Sequence, residues 1–235
     1  MKLGIMQPYL FPYIGYFQLI QAVDKFVVYD DVNYIKQGWI NRNRILNHGE
    51  PLTFTVPLSK AGSFAKINEV QINPNLYEGW KNKFLKTLEL NYKKAPYFSE
   101  SYDLIHKVLS EEDCPSISEL AVESLLAVCK HLGIQKEFVV SSTLYNNQNL
   151  SGKDRVIDIC RQEDATHYIN PSGGQMLYNK EYFREKGLEL SFIKSLPLKY
   201  SQFKNEFVPW LSIIDVLMFN PVEDVRVLLN EYELI

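Results

Sequence analysis

The residues best suited to chemistry fall into five short segments. Tyr29-Asp30-Asp31-Val32-Asn33-Tyr34-Ile35-Lys36 carries adjacent carboxylates with a lysine five residues on. Such a pair would bind Mg²⁺, hold a substrate amine, or supply one base of raised pKa, and Lys36 would counter a phosphate. The competing reading is a solvated turn after a strand. Trp39-Ile40-Asn41-Arg42-Asn43-Arg44 packs amide and guanidinium donors into four residues, a set suited to bidentate recognition of phosphate or carboxylate. On a strand, Arg42 and Arg44 share one face and Asn41 and Asn43 the other, so one face would grip a ligand while the other joins a structural network. Gln7-Pro8-Tyr9-Leu10-Phe11-Pro12-Tyr13-Ile14-Gly15-Tyr16 is a loop stiffened by two prolines, with Gly15 permitting close approach of a backbone or ligand. Either it lines a site through Gln7, Tyr9, Tyr13, Gly15 and Tyr16, or it is an aromatic loop that only packs. Asn170-Pro171-Ser172-Gly173-Gly174 precedes a helix, where free N–H groups and the helix dipole favour an anion. Tyr200-Ser201-Gln202-Phe203 adds polar tips, and Phe207 to Asp215 reads as the buried start of a helix, with Asp215 capping or pairing in the core.

These segments need elements to position them. Leu3-Gly4-Ile5-Met6 reads as a buried strand, Ile14 to Val23 recurs at helical spacing, and Lys25 to Tyr29 is a second strand. That βαβ opening implies a parallel sheet, whose ligands bind at the carboxyl ends of the strands. Residues 39 to 73 alternate apolar and polar, as strand and loop do. Three helical stretches follow at about 78–91, 99–110 and 116–132, the last opened by a Ser116…Glu119 capping box and stopped at Gly133. The βαβ rhythm then returns: strand 138–140, helix 154–162, strand 166–169, helix 175–186, strand 188–193 and a helical tail 211–229. The expectation is a single α/β domain over 1–235 with a parallel-sheet, Rossmann-like core and a helical insertion at about 78–132.

Composition narrows the classes. The chain has 235 residues, 25 basic and 28 acidic side chains and a net charge of −3. It is long enough to bury roughly 70–75% of its unfolded surface without metal or disulfide. Near-neutral charge argues against general nucleic-acid binding. Fifteen tyrosines suit half-wet cores and small-molecule walls. Three separated cysteines (Cys114, Cys129, Cys160) fit a reducing compartment, and four dispersed histidines give zinc little support. No run reaches the roughly 18–20 apolar residues of a membrane span, so a cytoplasmic protein without membrane insertion is expected. No feature specifies an oligomeric state. Nucleophile elbow, Walker loop and Rossmann glycine fingerprint are all missing from the sequence.

Taken in order, the first three segments, Tyr168-Ile169 with Ser172-Gly173-Gly174, Tyr200-x-Gln202-Phe203 and Leu211-Ser212-Ile213-Ile214-Asp215 resemble the WbqC-like protein family. The resemblance spans essentially the whole chain. It implies a place in bacterial O-antigen or other surface-polysaccharide synthesis, and transfer of glycine or another aminoacyl group to an amino sugar. It carries over no catalytic residue. The opening strand, proline loop and helix also have the shape of the first motif of nucleotidyltransferases, an adenine-nucleotide-hydrolase-like core. Tyr13-Ile14-Gly15-Tyr16 stands where those enzymes place His-x-Gly-His, so charge stabilisation would come from Arg42, Arg44, Lys36 or Mg²⁺. ATP with Mg²⁺ would then activate a small acid, a sugar-nucleotide amine would attack, and Asp30 and Asp31 would hold metal or take the proton. Haem, flavin, zinc and iron–sulfur groups are not expected. The rival readings are a non-catalytic sugar-nucleotide or glycan binder, and acyl transfer from aminoacyl-tRNA or acyl-CoA.

Overall fold

The strands of the central sheet are apolar on both faces, which in a parallel sheet calls for helices on both sides. The computed structural model describes residues 1–62, 64–111, 115–204 and 206–235; Cys114 lies outside them. Among the described residues, β1 (Lys2–Met6), β2 (Lys25–Val28), β5 (Glu137–Val139), β6 (His167–Pro171), β7 (Glu189–Ser195) and β8 (Tyr232–Leu234) make one six-stranded sheet. Its order is β5-β2-β1-β6-β7-β8, parallel except for the β7–β8 pair. β3 (Arg42–Asn47) and β4 (Glu50–Thr55) form a separate antiparallel hairpin. Its two-residue turn, His48-Gly49, has positive φ at both positions (50° and 86°), the twist that tight hairpins need.

Alternation along the strands sorts the core. Leu3, Ile5, Val27, Tyr168 and Leu190 face α5 (Gly152–Gln162) and α6 (Lys180–Glu185). Phe26, Val28, Ile169 and Ile193 face the opposite layer. That layer holds α1 (Ile14–Ala22), α2 (Pro74–Tyr92), α3 (Phe98–Leu109), α4 (Ile117–Leu132), α7 (Ile213–Phe219) and α8 (Val222–Leu228). The result is a Rossmann-like α/β fold, as the sequence rhythm predicts. Strand order reverses between β1 and β6, so the crevice of such sheets opens at their carboxyl ends. No helix of the described residues is long and apolar enough to cross a membrane.

Two stretches differ from their sequence reading. The tail is two helices broken at Asn220-Pro221, because proline clashes with a continuing helix and forces Asn220 into extended backbone (φ −127°, ψ 141°). After it comes β8, an edge strand too short and exposed to announce itself. The stretch 175–186 is a 3₁₀ turn over Ser172–Met176 followed by α6, which Asn179 caps by accepting from the Tyr182 N–H at 3.0 Å.

Candidate functional site

The loop after β1 is set by buried anchors and hydrogen bonds. Leu10 and Phe11 are fully buried, and Phe11 holds φ at 41°. The Phe11 carbonyl accepts from Asn43 Nδ2 at 2.7 Å and Ser212 Oγ at 2.6 Å, and its N–H donates to Ser124 Oγ at 3.1 Å. Tyr16, itself buried, donates its hydroxyl to the Gln7 carbonyl at 2.7 Å. Beside these anchors Tyr9 and Tyr13 are half-buried, and Pro12 between them is buried. Together with Trp39, Asn43, Arg44 and Trp210 they line a cavity of 190 Å³. Trp210 stands edge-on to Tyr13 (centroids 5.9 Å apart), and its backbone is left-handed (φ 61°), a conformation uncommon for a bulky residue. Gly15 permits the arrangement: a Cβ there would lie 2.3 Å from the Tyr13 ring and 2.7 Å from Ser195 Oγ. Burial pushes the Tyr9 and Tyr13 phenols up, so both are neutral hydrogen-bonding groups.

Beyond the Tyr13–Trp210 pair lies a second cavity of 640 Å³ at the carboxyl end of β7. Leu196, Leu198, Tyr200, Phe207, Pro209 and Leu211 make it largely apolar, with Lys199 and Glu206 also on its walls. The two cavities share Tyr13 and Trp210.

β3 divides its side chains as the alternation requires. Asn41 and Asn43 are buried and structural: Asn41 Nδ2 donates to the Val56 carbonyl at 2.9 Å, and Asn41 Oδ1 accepts from the Tyr34 hydroxyl at 2.8 Å. Asn43 holds the β1 loop. On the other face the Arg42 and Arg44 guanidiniums sit 5.3 and 5.4 Å from the centre of the Trp39 ring. Arg44 Nη2 donates to the Trp210 carbonyl at 3.3 Å.

Asp30 and Asp31, at the carboxyl end of β2, are buried and engaged by protein donors. Asp30 Oδ1 accepts from Ser141 Oγ at 2.9 Å and the Ser142 N–H at 3.0 Å, and Oδ2 from Ser118 Oγ at 3.3 Å. Asp31 Oδ1 takes a short hydrogen bond from the Ser142 hydroxyl. Asp31 Oδ2 takes Gln148 Nε2 at 3.0 Å and Arg155 Nη2 at 2.5 Å. Burial pushes the Asp30 carboxyl up against the pull of these donors. For Asp31 burial acts in the same direction, but Ser142, Arg155 and Gln148 outweigh it and hold the carboxyl below the usual range. A Mg²⁺ ion on this pair would have to displace those donors. Neither carboxylate lines either cavity, and Lys36 lines a third, of 380 Å³, with Tyr34, Asn41 and Lys60.

The glycines of the β6 loop differ. A Cβ on Gly174 would meet Asn170 Oδ1 at 2.0 Å, whereas Gly173 faces open space. Tyr200 and Gln202 converge on Asp215, which is fully buried. Asp215 Oδ2 accepts from the Tyr200 hydroxyl at 2.6 Å and Gln202 Nε2 at 2.7 Å, and Oδ1 from the Tyr92 hydroxyl at 2.7 Å. Burial raises the Asp215 carboxyl despite these donors. The network ties the loop carrying Trp210 to α7 and α2, the core pairing read for Asp215. Trp210 itself is 61% exposed, where the sequence suggests the buried start of a helix. The left-handed turn swings it out, and alternation and helical spacing carry no trace of such a turn. Arg155 also escapes the sequence reading, since a lone arginine in an amphipathic helix looks like a surface cation.

Fold and site define an α/β protein with adjoining aromatic cavities at the carboxyl edge of a Rossmann-like sheet. The model of the WbqC-like protein family matches residues 7–227, and the chain belongs to that family. An uncharacterized protein of Mycobacterium tuberculosis is 32% identical over 222 residues, covering 93% of each chain. No solved structure matches the chain significantly.

Proposed function

We propose that this protein binds an amino-sugar nucleotide and transfers a small acyl or aminoacyl group to its amine, a reaction of bacterial surface-polysaccharide synthesis. The observation that carries the reading is the pair of cavities meeting at Tyr13 and Trp210. A transferase needs two rooms with a common wall, one for acceptor and one for donor, so that bound groups are held in attacking geometry. The smaller room offers aromatic faces and a guanidinium, the surfaces that a sugar ring and a phosphate use. The larger room would take the acyl donor. In the transfer, the amine lone pair forms a C–N bond to the acyl carbon. The bond from that carbon to its leaving group breaks, and the amine proton passes to water. The leaving group is AMP where ATP activates the acid, and a thiol where the donor is a thioester.

Thermal-shift assays with UDP- and dTDP-amino sugars test the acceptor. At a hundred times its Kd a ligand adds about 2.7 kcal/mol, several degrees for a chain of this size. The expected result is a shift with the amino-sugar nucleotides that Trp210→Ala removes. Pyrophosphate release with ATP and glycine, or thiol release with acyl-CoA, then identifies the donor. Unchanged melting with every amino-sugar nucleotide overturns the proposal. A shift without turnover from any donor points instead to a non-catalytic binder, a reading favoured by the engagement of both Asp30 and Asp31 in internal hydrogen bonds.

A further inference from the structure

We propose that Arg42 and Arg44 form a diphosphate site that works without a divalent cation. The proposal deepens the sugar-nucleotide reading and rests on it for the physiological ligand. The two residues are two apart on β3, paired across the hairpin with Thr55 and Thr53, so their side chains leave the same face. Both guanidiniums lie over the one Trp39 ring, at 5.3 and 5.4 Å from its centre. Both side chains are half-buried, and the Nε atom of each is buried with no acceptor among the described residues. Neither forms an ion pair among the described residues, and the Arg42 side chain makes no hydrogen bond there.

This contrasts with Arg155, a buried guanidinium, which meets Asp31 at 2.5 Å. Two guanidiniums drawn to one aromatic ring, with no acid partner among the described residues, leave like charge uncompensated and N–H donors unsatisfied. A ligand with two linked anionic groups relieves both at once. The carboxylate of glycine offers only one such group. Asn41 and Asn43 fix the strand from its other face, so the pair is held in place before any ligand arrives. Arg44 also lines the 190 Å³ aromatic cavity, which puts the diphosphate beside the room for the sugar. The carboxylates of Asp30 and Asp31 are occupied by protein donors, so the arginines supply the neutralising charge that magnesium provides in many nucleotide sites.

Calorimetric titration of the full chain at fixed ionic strength tests this, with inorganic pyrophosphate, inorganic phosphate and glycine as probes, each with Mg²⁺ and with EDTA. Pyrophosphate is expected to bind equally well in EDTA, and tighter than phosphate or glycine. Arg42→Gln, which sacrifices no side-chain hydrogen bond among the described residues, should weaken pyrophosphate at least about tenfold without lowering the unliganded melting temperature. Arg42→Lys should recover part of the affinity. Pyrophosphate binding that requires Mg²⁺, that matches phosphate, or that survives Arg42→Gln unchanged overturns the proposal. The two readings fail separately. Pyrophosphate binding with no preference for an amino-sugar nucleotide over UDP sinks the sugar reading alone. An amino-sugar nucleotide that binds no tighter than the free amino sugar sinks the diphosphate site alone.

Discussion

Replacing Arg155 by Met keeps the length and apolar stem of the side chain but removes the only cation at Asp31 among the described residues. Both side chains of that ion pair are nearly inaccessible, at 4% and 5% exposure, so the abandoned carboxylate cannot turn to water. Breaking one partner of a buried pair costs about 3–5 kcal/mol. At about 2–4 °C per kcal/mol for a chain this long, the melting temperature at pH 7 should fall by about 6–20 °C. The acid response carries the sharper test. In the native protein Asp31 sits below its unfolded pKa, so its contribution is present above about pH 4 and fades as pH falls through the folded value. Without Arg155 two of the effects that oppose burial are gone, so the carboxyl rises relative to the native protein, and the difference between the two proteins closes as pH falls through their folded values. Urea denaturation of both proteins from pH 7 down to about pH 3 should therefore show the gap narrowing toward acid. The double variant Asp31→Asn with Arg155→Met should recover part of the loss. A cost under about 1 kcal/mol at pH 7, or a gap that does not depend on pH, would refute the reasoning.

Four further substitutions probe the scaffold around the site. Tyr200→Phe takes a donor from Asp215 and should cost about 1.5–3 kcal/mol in urea melts. It should also raise the Asp215 carboxyl further. Because burial already sets that carboxyl above its unfolded value, more of the lost stability should return as pH falls through the folded pKa toward about 4. Gly15→Ala, which in an open helix would stabilise by about 1 kcal/mol, should instead lower the melting temperature and abolish amino-sugar-nucleotide binding, because the new Cβ displaces the Tyr13 ring. Gly174→Ala should destabilise by dislodging Asn170 from its 2.5 Å hydrogen bond to the Tyr168 hydroxyl. Gly173→Ala, with open space around it, should stay within about 0.5 kcal/mol of the parent, and equal melting of the two variants would contradict the packing described.

Local pattern settled much of this protein. The apolar runs of β1 and β2, the periodicity of α1 and the capping box of Ser116 and Glu119 are short-range signals, and each element stands where that signal lies. Alternation also assigned the two faces of β3, arginines to one and asparagines to the other. Strand order was decided by packing alone. A βαβ rhythm says that strands are parallel, but not that β6 lies against β1 and thereby opens the crevice between them.

The fate of each polar group was likewise decided by distant partners. Asp30 and Asp31 read as free carboxylates in the chain, yet Ser141, Ser142 and Arg155, more than 100 residues away, claim their oxygens. Tyr200 and Gln202 read as ligands, yet both turn to Asp215, a residue the sequence places only in the core. Trp210 becomes a cavity wall through one left-handed turn. Periodicity reports which face of an element is dry, because that follows from neighbours in the chain. Whether a buried charge finds a counter-charge or stays unpaired to await a ligand depends on elements brought together only by the fold, and that difference separates Arg155 from Arg42.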